Sequence, residues 1–225
     1  MKIVKIACLS VALFGSTRSF AQSDDLGMYT SVEVSRRIVS KLEVSLVEEF
    51  RLRDNLNEID RFSTAVQLSY KFCPYLKAGG AYNLINYNHP TKDWEIRHRY
   101  YFFVQGSYEF NRFTISLRER FQSTYRQGVS ETSTRANPKQ YIRSKVALSY
   151  NIKDSSFEPY TSCEFYNSLN NKTGNGLDKI GFILGTKYKI NNKNSLDLYY
   201  KYVNFDEDED ETNSHIIGIG YSHKF

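Results

Sequence analysis

Residues 215–225 read HIIGIGYSHKF. Counting back from Phe225, one alternate set holds His223, Tyr221, Ile219, Ile217 and His215. The other holds Lys224, Ser222, Gly220, Gly218 and Ile216. Successive side chains of a strand point to opposite faces, so this stretch predicts a strand with one largely apolar face and one small or polar face. Two settings suit it: the closing strand of a membrane β-barrel, apolar toward lipid and polar toward the lumen, or a half-buried strand of a soluble sheet. The rest of the chain decides between them.

Upstream, the same period of two recurs. Leu196, Leu198, Tyr200 and Tyr202 alternate with polar residues before the acidic run at 206–212. Behind the turn at 191–194, Ile180, Phe182, Leu184, Tyr188 and Ile190 oppose Gly181, Gly185, Lys187 and Lys189. The clearest hairpin spans 95–122, with a two-residue turn at Asn111-Arg112. Its outer faces are Tyr100, Phe102, Val104, Tyr108 and Phe110, then Phe113, Ile115, Leu117 and Phe121. Further strands are predicted over 140–152, around Glu164-Phe165, over 75–85, over 61–72 and over 42–53. The first covers 27–35 and stops at a basic break, Arg36-Arg37. Pro74, which cannot extend a ladder, marks a turn.

Connections alternate short and long along the whole chain. That is the rhythm of an outer-membrane barrel, with short periplasmic turns and longer external loops, and a soluble sandwich has little reason to segregate loop lengths this way. The expected fold is an all-β, antiparallel up-and-down transmembrane β-barrel. About eleven strands are legible, but antiparallel closure with both termini in the periplasm requires an even number, so 10 or 12 are expected.

Composition agrees with a membrane barrel. The 225 residues include 18 Tyr and 15 Phe, and amphipathic rings collect at both membrane interfaces. Mean hydropathy is -0.53, and no run of about 18 apolar residues offers a helical span. Residues 1–21 read as a secretory signal, with Lys2 and Lys5, an apolar stretch from Ile6 to Phe14, and Ser19-Phe20-Ala21 for cleavage. The barrel domain is then 22–225, in the outer membrane of a Gram-negative cell. Losing Lys2, Lys5 and Arg18 leaves 27 basic and 25 acidic residues and lowers the formal charge from +5 to +2. Nucleic acid thereby drops out as an expected partner.

Several segments resemble a known family: Leu52-Arg53-Asp54, Glu95 to Arg99, Leu117 to Phe121, Tyr141-Ile142-Arg143, Glu164-Phe165, and Gly181 to Tyr188. In order and spacing they resemble the domain of unknown function 2490 family across nearly the whole mature chain. The resemblance implies an outer-membrane barrel and assigns no activity. It also implies that Tyr221 and Phe225 form an insertion signal read by the barrel-assembly machinery, with outer-membrane lipids and lipopolysaccharide as the other partners.

The polar faces carry a basic set expected to line the lumen: Arg51, Arg53, Arg61, Arg97, Arg99, Arg118, Arg120, Arg143, Lys145 and Lys187. Glu33, Glu43, Glu49, Glu109, Glu164 and Asp197 stand against them. A charge-lined pore selects counter-ions, so an Arg-rich wall would favour anions. The same residues would also pair across a filled interior, because a small barrel has little free bore. The role is therefore a narrow passive channel or a structural barrel. Glu48 and Glu119 fall on the lipid face, either at a rim or where a bulge reverses the phase.

No catalytic residue is expected. An embedded lipid-modifying enzyme would need a histidine beside a serine such as Ser107, and no motif brings serine, histidine and acid together. A soluble periplasmic β-protein is the other alternative. Neither a cofactor nor a metal is expected. His215 and His223 lie about 26 Å apart along a strand; Cys73 and Cys163 lack ligand-spaced partners; and the run at 206–211 lacks the glycine and spacing of a calcium loop.

Overall fold

In lipid, backbone N–H and C=O groups find no water, so a sheet that spans a membrane must close on itself. The computed structural model describes residues 24–91, 93–129, 136–171, 174–205 and 213–225. Among them, eleven strands form one closed barrel: β1 (Asp25–Val39), β2 (Leu42–Arg53), β3 (Glu58–Cys73), β4 (Leu76–Asn88), β5 (Trp94–Phe110), β6 (Phe113–Arg126), β7 (Lys139–Tyr150), β8 (Phe157–Ser168), β9 (Gly176–Lys189), β10 (Asn194–Phe205) and β11 (Ser214–Lys224). The expected signal segment 1–21, the acidic run 206–212 and residues 130–135 of the long connection between β6 and β7 lie outside the described residues.

The expectation of 10 or 12 strands is corrected to eleven. Sequence neighbours pair antiparallel, but β1 and β11 pair parallel, from Asp25↔Ser214 to Ser35↔Lys224. The even-number rule assumes antiparallel closure throughout, and a parallel seam removes it. Period-two patterning fits the seam. Met28, Thr30, Val32 and Val34 face outward beside Ile217, Ile219, Tyr221 and His223, while inward Tyr29 and Ser31 lie beside Gly218 and Gly220. The Phe225 amide extends the seam by donating to the Ser35 carbonyl at 2.9 Å. Asp25 and Phe225 therefore sit at opposite rims.

Two predicted boundaries also shift. The Arg36-Arg37 pair does not end β1, because Arg37 still opposes Glu43 and a bulge follows between Arg37 and Val39. The connection between the strands predicted over 42–53 and 61–72 shrinks to 54–57, with Asp54, Asn55 and Leu56 all left-handed at φ of 52°, 53° and 69°. This tight turn is tied to β1, since the Leu56 amide donates to the Leu26 carbonyl at 3.1 Å and the Asn55 amide to Asp25 Oδ1 at 2.9 Å.

The outer wall is apolar and banded by rings. Near the short-turn rim, Phe113 lies 5.5 Å from Phe110 and 4.8 Å from Tyr150, and Phe157 lies 4.8 Å from Tyr188. Near the other rim, Phe62 lies 5.0 Å from Phe50 and 5.8 Å from Trp94, and His98 contacts Tyr82 and Tyr125. Phe113 and Tyr125 stand twelve residues apart on β6, about 40 Å of strand. At the usual 35–45° tilt that is about 30 Å of height, enough to bracket a hydrocarbon core.

A cysteine pair tests the seam. With Cys73 and Cys163 changed to Ser, Thr30→Cys combined with Ile219→Cys should cross-link under mild oxidation in the assembled barrel. An assembled barrel in which this pair stays reduced would place another strand between β1 and β11.

Candidate functional site

The polar faces of the eleven strands converge on an interior in which most of the predicted lumen-lining cations gather around two cavities. The larger compartment, about 310 Å³, opens toward the long-loop rim and is lined by Arg51, Arg61, Arg97, Arg99 and Arg143 among others. A second, about 230 Å³, lies toward the short turns and includes Arg118, Lys145 and Lys187. Between them the interior narrows at Phe103 of β5, 5% exposed, which stands between Arg99 of the larger cavity and Gln105 of the second. Tyr101 stands at the same level on β5, its hydroxyl donating to Gln67 Oε1 at 3.0 Å, with Arg120 4.2 Å over its ring.

Glu164, 4% exposed, is the hub of this septum. Its Oε1 lies 3.1 Å from Arg118 Nη2 and its Oε2 2.9 Å from Arg143 Nη2. The Tyr166 hydroxyl donates to the same Oε2 at 2.8 Å, and Arg143 Nη1 donates to Gln122 Oε1 at 2.8 Å. One carboxylate thus joins β6, β7 and β8 inside the barrel.

The remaining expected residues are placed as follows. Arg51 pairs with Glu49 at 2.7 Å, Arg61 with Asp60 at 2.6 Å, and Arg97 with Glu95 at 3.0 Å. Arg53 lies outside the larger cavity and pairs with Glu58 at 3.1 Å and Asp60 at 3.7 Å. Arg99 donates to Thr124 Oγ1 at 3.0 Å. Among the described residues, no carboxylate lies within ion-pair distance of Arg99 or Arg120. Of the four arginines predicted to line the lumen from the β5–β6 hairpin, Arg97 and Arg118 are paired with acids and Arg99 and Arg120 are not.

Register explains how the charge is distributed. Across β5, β6 and β7, Arg97 opposes Arg126, Arg120 opposes Arg143, and Arg118 opposes Lys145. These three strands therefore carry a basic track from the long-loop rim past the septum. The facing wall is small or neutral where Gly218 and Gly220 lie beside Tyr29 and Ser31. A Cβ on Gly218 would fall inside the Tyr199 ring, so that glycine is what lets the ring lie flat against the wall.

Several contributors were not singled out from the sequence. Glu95 is legible, since it shares a face with Arg97 two residues on. Lys201 is legible in the same way, flanked by outward Tyr200 and Tyr202; it crosses Gly181, and its ammonium lies 3.4 Å from the Tyr166 hydroxyl. Asp60 is not legible. It is the extra residue where the β2–β3 register jumps from Arg51↔Arg61 to Leu52↔Ile59, and the bulge buries it.

Glu48 and Glu119 stay on the outer face, with no bulge beside either. Glu48 accepts from Thr64 Oγ1 at 2.9 Å and Glu119 from Ser144 Oγ at 2.7 Å. Tyr221 donates to Asn194 Oδ1 at 2.6 Å, and the exposed Phe225 ring packs edge-on against His223 at 4.6 Å. Ser107 stands nine residues from His98 along β5, about 30 Å and on the opposite face, so the two do not meet. No cluster of three His, Cys, Asp or Glu suited to a metal occurs among the described residues.

Removing one partner of a buried ion pair strands the other charge, at about 3–5 kcal/mol. Glu164→Gln should therefore lower the temperature at which the folded barrel loses its fast gel mobility. Glu109→Gln, at an exposed position, should leave it unchanged. Equal midpoints for both variants would remove Glu164 from its place as hub.

A NanC porin, solved in a rhombohedral crystal form, superposes with a TM-score of 0.56 at 14% identity, covering 89% of this chain and 99% of that one. A KdgM porin in complex with disordered oligogalacturonate gives 0.47 at 12% identity, covering 81% and 92%. The first likeness shows a shared barrel fold. Among curated proteins, none matches in sequence. The family described as Protein of unknown function (DUF2490) matches residues 26–214, from the first strand to the start of the last, and the chain belongs to it.

Proposed function

We propose that the protein is a narrow outer-membrane channel of a Gram-negative cell whose interior favours anions. The observation that carries this reading is the basic track on β5–β7, where Arg99 and Arg120 have no carboxylate partner among the described residues. A cation fixed in a confined, low-dielectric bore attracts counter-ions far more strongly than one in open water. Lipids and lipopolysaccharide cover the ringed outer wall. Tyr221 and Phe225, at the short-turn rim, present the insertion signal to the assembly machinery. The porin fold likeness supports this reading, and so do the two separately lined cavities. A closed structural barrel is the second reading, and the nearly unexposed Phe103 between the two cavities favours it.

Reversal potentials across a salt gradient in a planar bilayer test the channel. The wild type should prefer anions, and Arg99→Glu plus Arg120→Glu should shift the preference toward cations. The preference should weaken as salt rises, because the Debye length of about 8–10 Å near 0.1 M contracts to about 3 Å at 1 M. Cation preference in the wild type would sink the proposal, and absence of any conductance would establish the closed barrel instead.

Orientation has its own test. With the long-loop rim outside, an epitope inserted at Gly128, whose φ of 75° already marks a loop conformation, should be labelled on intact cells. Labelling only after the outer membrane is permeabilised would invert the barrel.

A further inference from the structure

The larger cavity has the make-up of a binding site as well as a passage. Arg99 sits among the like charges of Arg61, Arg143 and Arg51. The carboxylate it senses, that of Glu49, is already bonded to Arg51 at 2.7 Å. Lys201 enters the same cavity and, like Arg99, has no carboxylate at ion-pair distance among the described residues. Cations held together in a partly enclosed space repel one another, and an anion bound among them removes that repulsion while accepting hydrogen bonds.

The aromatic faces narrow the choice of ligand. Tyrosines in a cavity could stack a sugar or a base, but here guanidinium groups already lie over them. Arg97 is 3.5 Å from the centre of the Tyr87 ring, Arg51 4.0 Å from Tyr29, and Arg143 4.4 Å from Tyr166. These stacked pairs hold the guanidinium planes in place, each with part of its edge already bonded: Arg97 to Glu95, Arg51 to Glu49, and Arg143 to Glu164 and Gln122. Arg143 Nε is a buried donor with no partner. Recognition by edge donors suits oxyanions, and a volume of about 310 Å³ is at the small end for ligand sites.

We propose that this cavity binds a compact, multiply charged oxyanion, held by Arg99, Arg143 and Lys201, and that it does not stack planar rings. The proposal rests on the anion-favouring reading of the interior but does not require conduction. Phosphoryl and carboxylate oxygens share the needed chemistry, so pyrophosphate and citrate serve as the two probes.

Equilibrium dialysis of the refolded barrel in neutral detergent measures binding without any membrane. Both probes, or one of them, should bind at least tenfold more tightly than acetate at fixed ionic strength, and the stronger probe identifies the oxyanion type. Arg99→Gln should weaken that binding at least tenfold, and Lys201→Met should do so severalfold, each judged folded by its heat-modifiable gel shift. Arg112→Gln removes a charge from the β5–β6 turn and should change nothing. Equal binding of all three anions, or equal weakening by Arg112→Gln, would reduce the site to diffuse counter-ion attraction and overturn the proposal. Tight binding in a barrel that conducts no ions would uphold the site while retiring the channel reading. Conduction without preferential binding would do the reverse.

Discussion

Closure of the sheet is the constraint on which everything else depends. An open edge in hydrocarbon would leave a row of unpaired amides and carbonyls, each costing several kcal/mol. Here the last edge is satisfied by parallel pairing of β1 with β11 over eleven residue pairs. Parallel ladders are slightly weaker per residue than antiparallel ones. The seam offsets this by length and by packing: its outward side is mostly apolar, with Met28, Val32, Val34, Ile217 and Ile219, and its inward side is small enough for Tyr199 to lie against Gly218. An eleven-strand circumference then sets the bore. It is wider than an eight-strand barrel filled by side chains and narrower than the 16–18-strand porins that hold an aqueous channel.

That intermediate bore decides how the charges behave. The basic side chains that enter it meet acids on their own or a neighbouring strand: Glu49, Asp60, Glu95 and Glu164 each hold an arginine. These pairs stiffen the interior and set its shape. They do not make it neutral, because one wall carries more cations than the acids beside it can match. Glu164 illustrates the limit, since a single carboxylate serves both Arg118 and Arg143, with Lys145 opposite it in register on β7. The interior is therefore both braced and positive, so the structural and conductive readings of its arginines are two aspects of one arrangement.

Most of the wall was legible in the sequence, because period-two alternation assigns each side chain to a face without any tertiary knowledge. The inward placement of Arg51, Arg97, Arg99, Arg118, Arg120, Arg143 and Glu164 follows from that alternation alone. Strand number was not legible, for a physical reason: parity depends on which way the two terminal strands pair, and local pattern is identical for parallel and antiparallel neighbours. Asp60 escaped because a bulge adds one residue and flips the phase. The split into two cavities also escaped. It arises where Phe103, an apolar residue on the polar face of β5, lies at the narrowing, and alternation treats it as an isolated exception.

The outer wall shows the same principle with the opposite balance. Glu48 and Glu119 each stand six residues from the short-turn ends of β2 and β6, about 20 Å of strand, and hence near mid-depth once tilt is included. A carboxylate there would be unfavourable if bare. Each instead faces a hydroxyl directly across the ladder, Thr64 on β3 and Ser144 on β7. The pairing supplies one hydrogen bond where lipid supplies none, at two sites four strands apart. Inside, a carboxylate restrains excess positive charge; outside, a hydroxyl shields an isolated acid. In both places the polar group is tolerated because the register of the closed sheet puts its partner within reach.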